Sequence, residues 1–324
     1  MVAAQLGLSP SRVNLRVREL VAGAYLVKRG TTRPTYGLGS NRRFVRGYPR
    51  ARLAEDRVWF GDLLPLLEHL PRNVLDLAHH GVTEMVNNAV DHSEAETVSV
   101  SMHCVDECLR FVIGDDGVGI FRKITRALDL PDERLALLEL SKGKLTTDPQ
   151  RHSGEGIFFT SRMFDVYRIE SGSLVFDHDA HCDLDLLDDA VEVQGTRVVM
   201  QVGTGSARTV ASVFSEYSSG PDEYAFARTV VPVRLARVGD ENLVSRSQAK
   251  RLLQRVEKFR HVVLDFSGVG GIGQAFADEI FRVFANTHPD IELLHLHAVP
   301  EVQQMIRRAE VLRDEQGGQL PLLK

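Results

Sequence analysis

Residues 74–92, VLDLAHHGVTEMVNNAVDH, place the tightest limit on what this chain can fold into. Leu75, Ala78, Val82, Met85, Val86 and Ala89 recur every third or fourth position, the period of a helix with one face in a core. That register sets Glu84, Asn88 and Asp91 in a stripe beside the apolar face. On most amphipathic helices such a stripe is only the solvated side. Here three later segments give it another meaning.

An alternating hairpin, TVSVSMHCVDECLRFVIG, runs straight into DDGVGIF at 115–121. HSGEGIFFTSRMFD (152–165) and GTRVVMQV (195–202) follow in that order. Together the four pieces resemble the ATP-binding fold shared by gyrase B subunits, heat-shock chaperones, histidine kinases and mismatch-repair ATPases, known as GHKL. TEMVNNAVDH matches its N box, DDGVGI its first glycine box, SGEGIFF its second, and GTRVVM the strand that closes the adenine end of a Bergerat-type pocket. Asp116 departs from the Asn that many relatives carry, and Asn87 from a common acid or small polar residue. Neither change removes a necessary group.

The resemblance implies ATP and Mg²⁺ as ligands. Asn88 then supplies a neutral oxygen to the magnesium ion, which suits a cation already facing phosphate charge. Glu84, four residues earlier, is the general base toward water. Asp115 accepts from the exocyclic amine of adenine, with Gly117 and Gly119 allowing the backbone close to the base. Thr196 supports the same contact, and Asp91 buttresses the pocket. Gly154, Glu155 and Gly156 open a helix whose N–H groups face the β- and γ-phosphates. LLELSKGKLTTDPQRHSGEG has the Gly, Lys and Thr content of a mobile lid, in which Lys142, Lys144 and Arg151 add positive charge. His79, His80 and His92 lack zinc-site spacing and are expected as core or surface residues.

Charge divides the chain. Residues 1–50 hold ten Lys or Arg against Glu19 alone, a net +9, so a total of -5 leaves -14 for the rest. Ser9 can cap a helix that begins at Pro10, with Val13, Val17, Leu20 and Val21 directed to a core. VAAQLG before it reads as a short helix ending at Gly7, and YLVKRGTTRPTYGLG after it as a two-stranded wing around Gly30. This resembles a winged helix-turn-helix, either truncated or degenerate. Its implied partner is DNA, through Arg12, Arg16, Lys28, Arg29 and Arg33. SNRRFVRGYPRAR is expected to be a basic linker.

After Val202, GTGSARTVASVFSEYSSGPDEYAF shifts toward Gly and Ser and is expected to connect to a third unit of alternating strands and helices. Within that unit Gly268, Gly270 and Gly273 fit GxGxxG, but the next strand, with Glu292 at its start and His297 at its end, places no acid for ribose. VVLDFSGVGGIGQAFADEIFRVF resembles instead the STAS-like domains related to anti-sigma-factor antagonists. Gly273, Gln274, Ala275 and Phe276 stand where those antagonists carry a phosphorylated serine, so a docking or self-contact role is expected.

The expected fold class is an α+β and α/β multidomain chain. A truncated winged helix covers 1–42, a GHKL α/β sandwich 52–205, a small STAS-like α/β domain 223–313 and a tail 314–324. The expected function is a slow ATPase acting as a nucleotide-gated switch with a DNA-binding head. A serine or threonine protein kinase of the anti-sigma type and a non-hydrolysing ATP-gated binding module are the alternatives. Family behaviour adds a homodimer. No apolar run is long enough to span a bilayer and the start, MVAAQLGLSP, lacks the order of a secretory signal, which predicts a cytoplasmic protein. Cys104, Cys108 and Cys182 are too few for a disulfide framework.

Overall fold

The computed structural model describes residues 5, 7–145, 154–179, 184–220, 223–237 and 242–317. Among these no helix is long and apolar enough to cross a membrane. Arg151 and most of the segment ahead of Gly7 lie outside the described residues.

The central body is a five-stranded sheet in the order β3-β4-β5-β7-β6. Its strands are β3 (Arg42–Pro49), β4 (Thr97–Val105), β5 (Cys108–Asp115), β6 (Val166–Asp179) and β7 (Leu184–Gly203), all pairing antiparallel. One face is apolar by alternation: Val98, Val100 and Met102 of β4, Leu109, Phe111 and Ile113 of β5, and Met200 and Val202 of β7 are buried. The long helix from Arg72 to His92 lies against that face and buries Val74, Leu77, Ala78, Gly81, Val82, Met85, Val86 and Ala89. The helical period therefore holds: five of the six expected members are buried, Leu75 is half-buried at the margin, and Val74, Leu77 and Gly81 widen the stripe. Phe164 closes on Gly81, where an added Cβ would stand 2.4 Å from its ring.

The expected basic linker is an edge strand instead. β3 pairs with β4 along its whole length, Arg42 opposite Cys104 and Pro49 opposite Thr97. Buried Arg42 is tolerated there because its guanidinium donates to the carbonyls of Leu66, Gly39 and Asn41. Tyr48 is also buried and donates to Asp62 at 2.7 Å. Alternation beneath an arginine-rich composition is the physical reason the segment resembles a linker. The stretch after Val202 is likewise structured: a helix, Val210–Glu216, capped by Thr209, leads into a short hairpin of β8 (Ser218–Gly220) and β9 (Glu223–Phe226). Phe214, Tyr217 and Phe226 join Phe158 and Phe159 in one aromatic cluster.

At the C-terminal end β10 (Arg228–Pro232), β11 (His261–Asp265) and β12 (Glu292–Leu296) form a parallel sheet in that order. Helices Arg246–Leu253, Gln274–Asp278 with its π-helical continuation to Phe284, and Pro300–Gly317 pack around it. The glycine-rich stretch 267–273 is a turn between β11 and the following helix.

The N-terminal end holds a helix, Pro10–Ala22, capped by the Ser9 side chain, and a hairpin of β1 (Leu26–Arg29) and β2 (Thr35–Leu38). The expected core is not formed among the described residues: no residue of this helix is buried, and Leu20 is exposed.

Candidate functional site

A cavity of about 290 Å³ opens between the Arg72–His92 helix, the end of β5 and the middle of β7. Strand register explains its polar end. Asp115 occupies the same sheet face as Ile113 and Phe111 and lies opposite Thr196, so a carboxylate falls where the pattern would otherwise place a core residue. Burial raises its pKa, and hydrogen bonds from the Gly117 and Thr196 amides to Oδ1, at 3.0 and 3.3 Å, oppose that rise. Among the described residues no hydrogen bond goes to Oδ2, and Asp115 lines the cavity. Thr196 Oγ1 accepts from the Ile120 amide at 3.0 Å, tying the middle of β7 to the helix that starts at Ile120.

Glu84, Asn88, His92 and Ser93 line the wall formed by the long helix, and Gly154 and Gly156 the opposite end. An added Cβ at Gly156 would lie 2.0 Å from Glu84 Oε2, so glycine is required for the carboxylate to occupy its position. Gly156 opens a helix running to Met163, with Glu155 at its N-cap. Asn88 Nδ2 is buried and, among the described residues, has no hydrogen-bond partner. Such an orphaned amide at a cavity wall suits a ligand that completes its bonding. Deeper in, burial, with Glu84 as the second cause, raises the Tyr167 phenol, which donates to Met85 Sδ at 3.2 Å.

The structure thus brings together Glu84, Asn88, Asp115, Gly119, Gly154, Gly156 and Thr196. Gly117 does not line this cavity. Its Cα abuts the Ser93 carbonyl, 2.0 Å from where a Cβ would sit, which makes it a close-packing residue. Asp91 is exposed and outside the cavity, and Glu155 stands beside it as a helix cap. Asp116 turns away, accepting from the Glu96 and Thr97 amides.

Lys142 and Lys144 do not reach the cavity. Lys142 is buried against Glu139, at 2.6 Å, and Lys144 donates to the Lys258 carbonyl at 3.0 Å. Sequence reasoning overlooked Lys123, the one Lys or Arg among the described cavity-lining residues. Its Nζ donates to the His92 carbonyl at 2.5 Å and pairs with Glu94 at 3.3 Å. Its place four residues past Gly119, one turn into the helix, was the available signal.

Arg12, Lys28, Arg29 and Arg33 are exposed on the N-terminal helix and hairpin, and Arg16, also exposed, pairs with Glu19 at 2.7 Å. His79 stacks on Trp59, and His80 is mostly buried against Phe214. Among the described residues no three His, Cys, Asp or Glu side chains gather as a metal site.

Residues 49–175 match the family model of the histidine kinase-like ATPase domain, and residues 248–303 that of a STAS-like domain of unknown function. A comparison with curated proteins returns no match. The chain therefore carries a histidine kinase-like ATPase domain, a class that implies ATP binding, followed by a STAS-like domain. Glu84, Asn88 and Asp115 fall within the first match; Thr196 lies beyond it.

Proposed function

We propose that the cavity binds ATP with Mg²⁺ and hydrolyses it slowly, as a nucleotide-gated switch. The observation that carries this reading is Asp115: a half-buried carboxylate at the cavity wall, with one oxygen held by two backbone amides and, among the described residues, no hydrogen bond to the other. An acceptor fixed in that way selects the amino group of adenine over the carbonyl of guanine. Thr196 and Gly119 complete the adenine end, and Ile113, Ile169 and Val198 supply its apolar walls.

In this reading Asn88 would hold the magnesium ion through its side-chain oxygen, and Lys123 would add positive charge toward the phosphates. Magnesium, when bound, would screen phosphate charge. The amides at Gly154 and Gly156 face the terminal phosphates. Glu84, held beside Gly156, accepts a proton from the attacking water. DNA binding by the exposed Arg12, Arg16, Lys28, Arg29 and Arg33 belongs to the same proposal, supported by the +9 charge of residues 1–50.

Steady-state phosphate release separates the hydrolytic reading from its alternatives. Wild type is expected to release phosphate from ATP and not from GTP, and Glu84→Ala to reduce release at least about 100-fold while ATP still binds. Unchanged release by Glu84→Ala contradicts the base assignment. Transfer of label from ATP to a second protein would instead identify a kinase.

A further inference from the structure

The helix Arg134–Lys142 separates two sites that the sequence treats as unrelated. On one side Leu140 and, past the helix end, Leu145 line the nucleotide cavity. On the other side the helix packs on β10 and the turn 233–236. Leu135 through Lys142 are all buried, including two charged residues, Glu139 at 2% and Lys142 at 1% exposure.

Those charges are met from the STAS-like domain. Glu139 pairs with Lys142 at 2.6 Å and with Arg255 at 2.7 Å. Lys142 Nζ also donates to the carbonyls of Arg251 and Gln254, at 3.2 and 2.8 Å, where the helix Arg246–Leu253 ends and its dipole favours a cation. Arg255 uses Nη2 to reach the Lys144 carbonyl at 2.6 Å, and Thr229 Oγ1 donates to the Lys142 carbonyl at 2.7 Å. The Lys144 ammonium lies 4.7 Å from the Phe259 ring centroid and 5.4 Å from that of Phe226. Arg255 holds a left-handed backbone, φ +67°, a conformation that arginine keeps only where its surroundings impose it.

Apolar packing continues the connection into the cavity. Gly143, φ +76°, has no room for a side chain, since a Cβ would sit 2.7 Å from Phe226 and 3.1 Å from Phe158. Phe158 lines the cavity and packs on Phe226, which packs on Phe259. A buried ion cluster is a poor source of net stability, because desolvation offsets its attraction, but breaking it strands a charge and so enforces one geometry.

We propose that Arg255 is a positioning residue for the nucleotide cavity: by bridging Glu139 and the Lys144 carbonyl it holds Leu140, Gly143 and Leu145 in place. Nucleotide binding and docking of the STAS-like domain are thereby linked. The inference rests on the nucleotide reading of the cavity. Linkage is reciprocal, so nucleotide must also tighten the STAS-like side of the contact.

The test uses the full chain, calorimetry with a non-hydrolysable ATP analogue and Mg²⁺, and hydrogen exchange read by mass spectrometry. In wild type the analogue should protect backbone amides in 251–259 as well as in 140–145. Arg255→Ala should weaken binding roughly five-fold or more and abolish the added protection at 251–259, and Arg255→Lys should restore part of both. Wild type that binds the analogue without added protection at 251–259 overturns the linkage and leaves the nucleotide reading standing. Binding by Arg255→Ala equal to wild type overturns it too. Wild type that binds no nucleotide refutes both. If Arg255→Ala does not fold, the wild-type exchange pattern decides.

Discussion

Buried polar groups set most of what single residues do here, and His80 shows the cost at its plainest. Burial, with His79 as the second cause, lowers its pKa from 6.5 to about 4, and among the described residues Nε2 has no hydrogen-bond partner. A histidine neutral in the fold and basic in the unfolded chain contributes stability that is fully present above about pH 6.5. That stability is lost as pH falls toward 4, where the unfolded chain alone takes the proton. The shift corresponds to roughly 3 kcal/mol. Urea unfolding at pH 7.5 and 4.5 should show His80→Phe losing about that much less than wild type between the two conditions; equal losses would contradict the assignment. Asp115 follows the same physics to another end. Its burial disfavours charge, and two backbone amides restore the carboxylate as an acceptor.

Among elements, β3 is the piece whose role differs most from its composition. Residues 42–49 are rich in arginine, yet Arg42 and Tyr48 face inward and the strand covers the edge of β4. A variant chain beginning at residue 39, which keeps every carbonyl acceptor of Arg42, should keep the stability of the central body. One beginning at residue 52 should lose at least about 3 kcal/mol, from the buried Tyr48 ring and the Arg42 and Tyr48 hydrogen bonds. Equal thermal midpoints for the two would contradict β3 as a structural strand. The same comparison shows what a sequence makes legible. The Arg72–His92 helix was legible because one face repeats every three or four residues, and β4 and β5 because they alternate. β3 was obscured because its buried arginine is satisfied by backbone carbonyls, two of them nearby at Gly39 and Asn41 and one distant at Leu66, which no side-chain pattern records. Lys142 and Lys144 looked like phosphate ligands for a related reason: only the packed fold shows that their ammonium groups face the STAS-like domain.

At the scale of the whole molecule, an aromatic cluster and an ion cluster join the two recognised domains among the described residues, both beside the cavity. The cavity residues came from four separated sequence segments, and order along the chain was enough to place Glu84, Asn88, Asp115, Gly119, Gly156 and Thr196 around one space. Contacts between domains depend on tertiary distances that spacing does not encode, whereas Lys123 was within reach of spacing, one helical turn past Gly119. The central claim is that Asp115 is the adenine acceptor of an ATP site. Calorimetry with ATP and Mg²⁺ on wild type and Asp115→Asn tests it most directly. Wild type should bind, and Asp115→Asn, which keeps the size of the side chain but presents a neutral amide, should weaken binding at least about 10-fold without lowering the thermal midpoint of the unliganded protein. Equal affinity for the two proteins, or no binding by wild type, would contradict the claim.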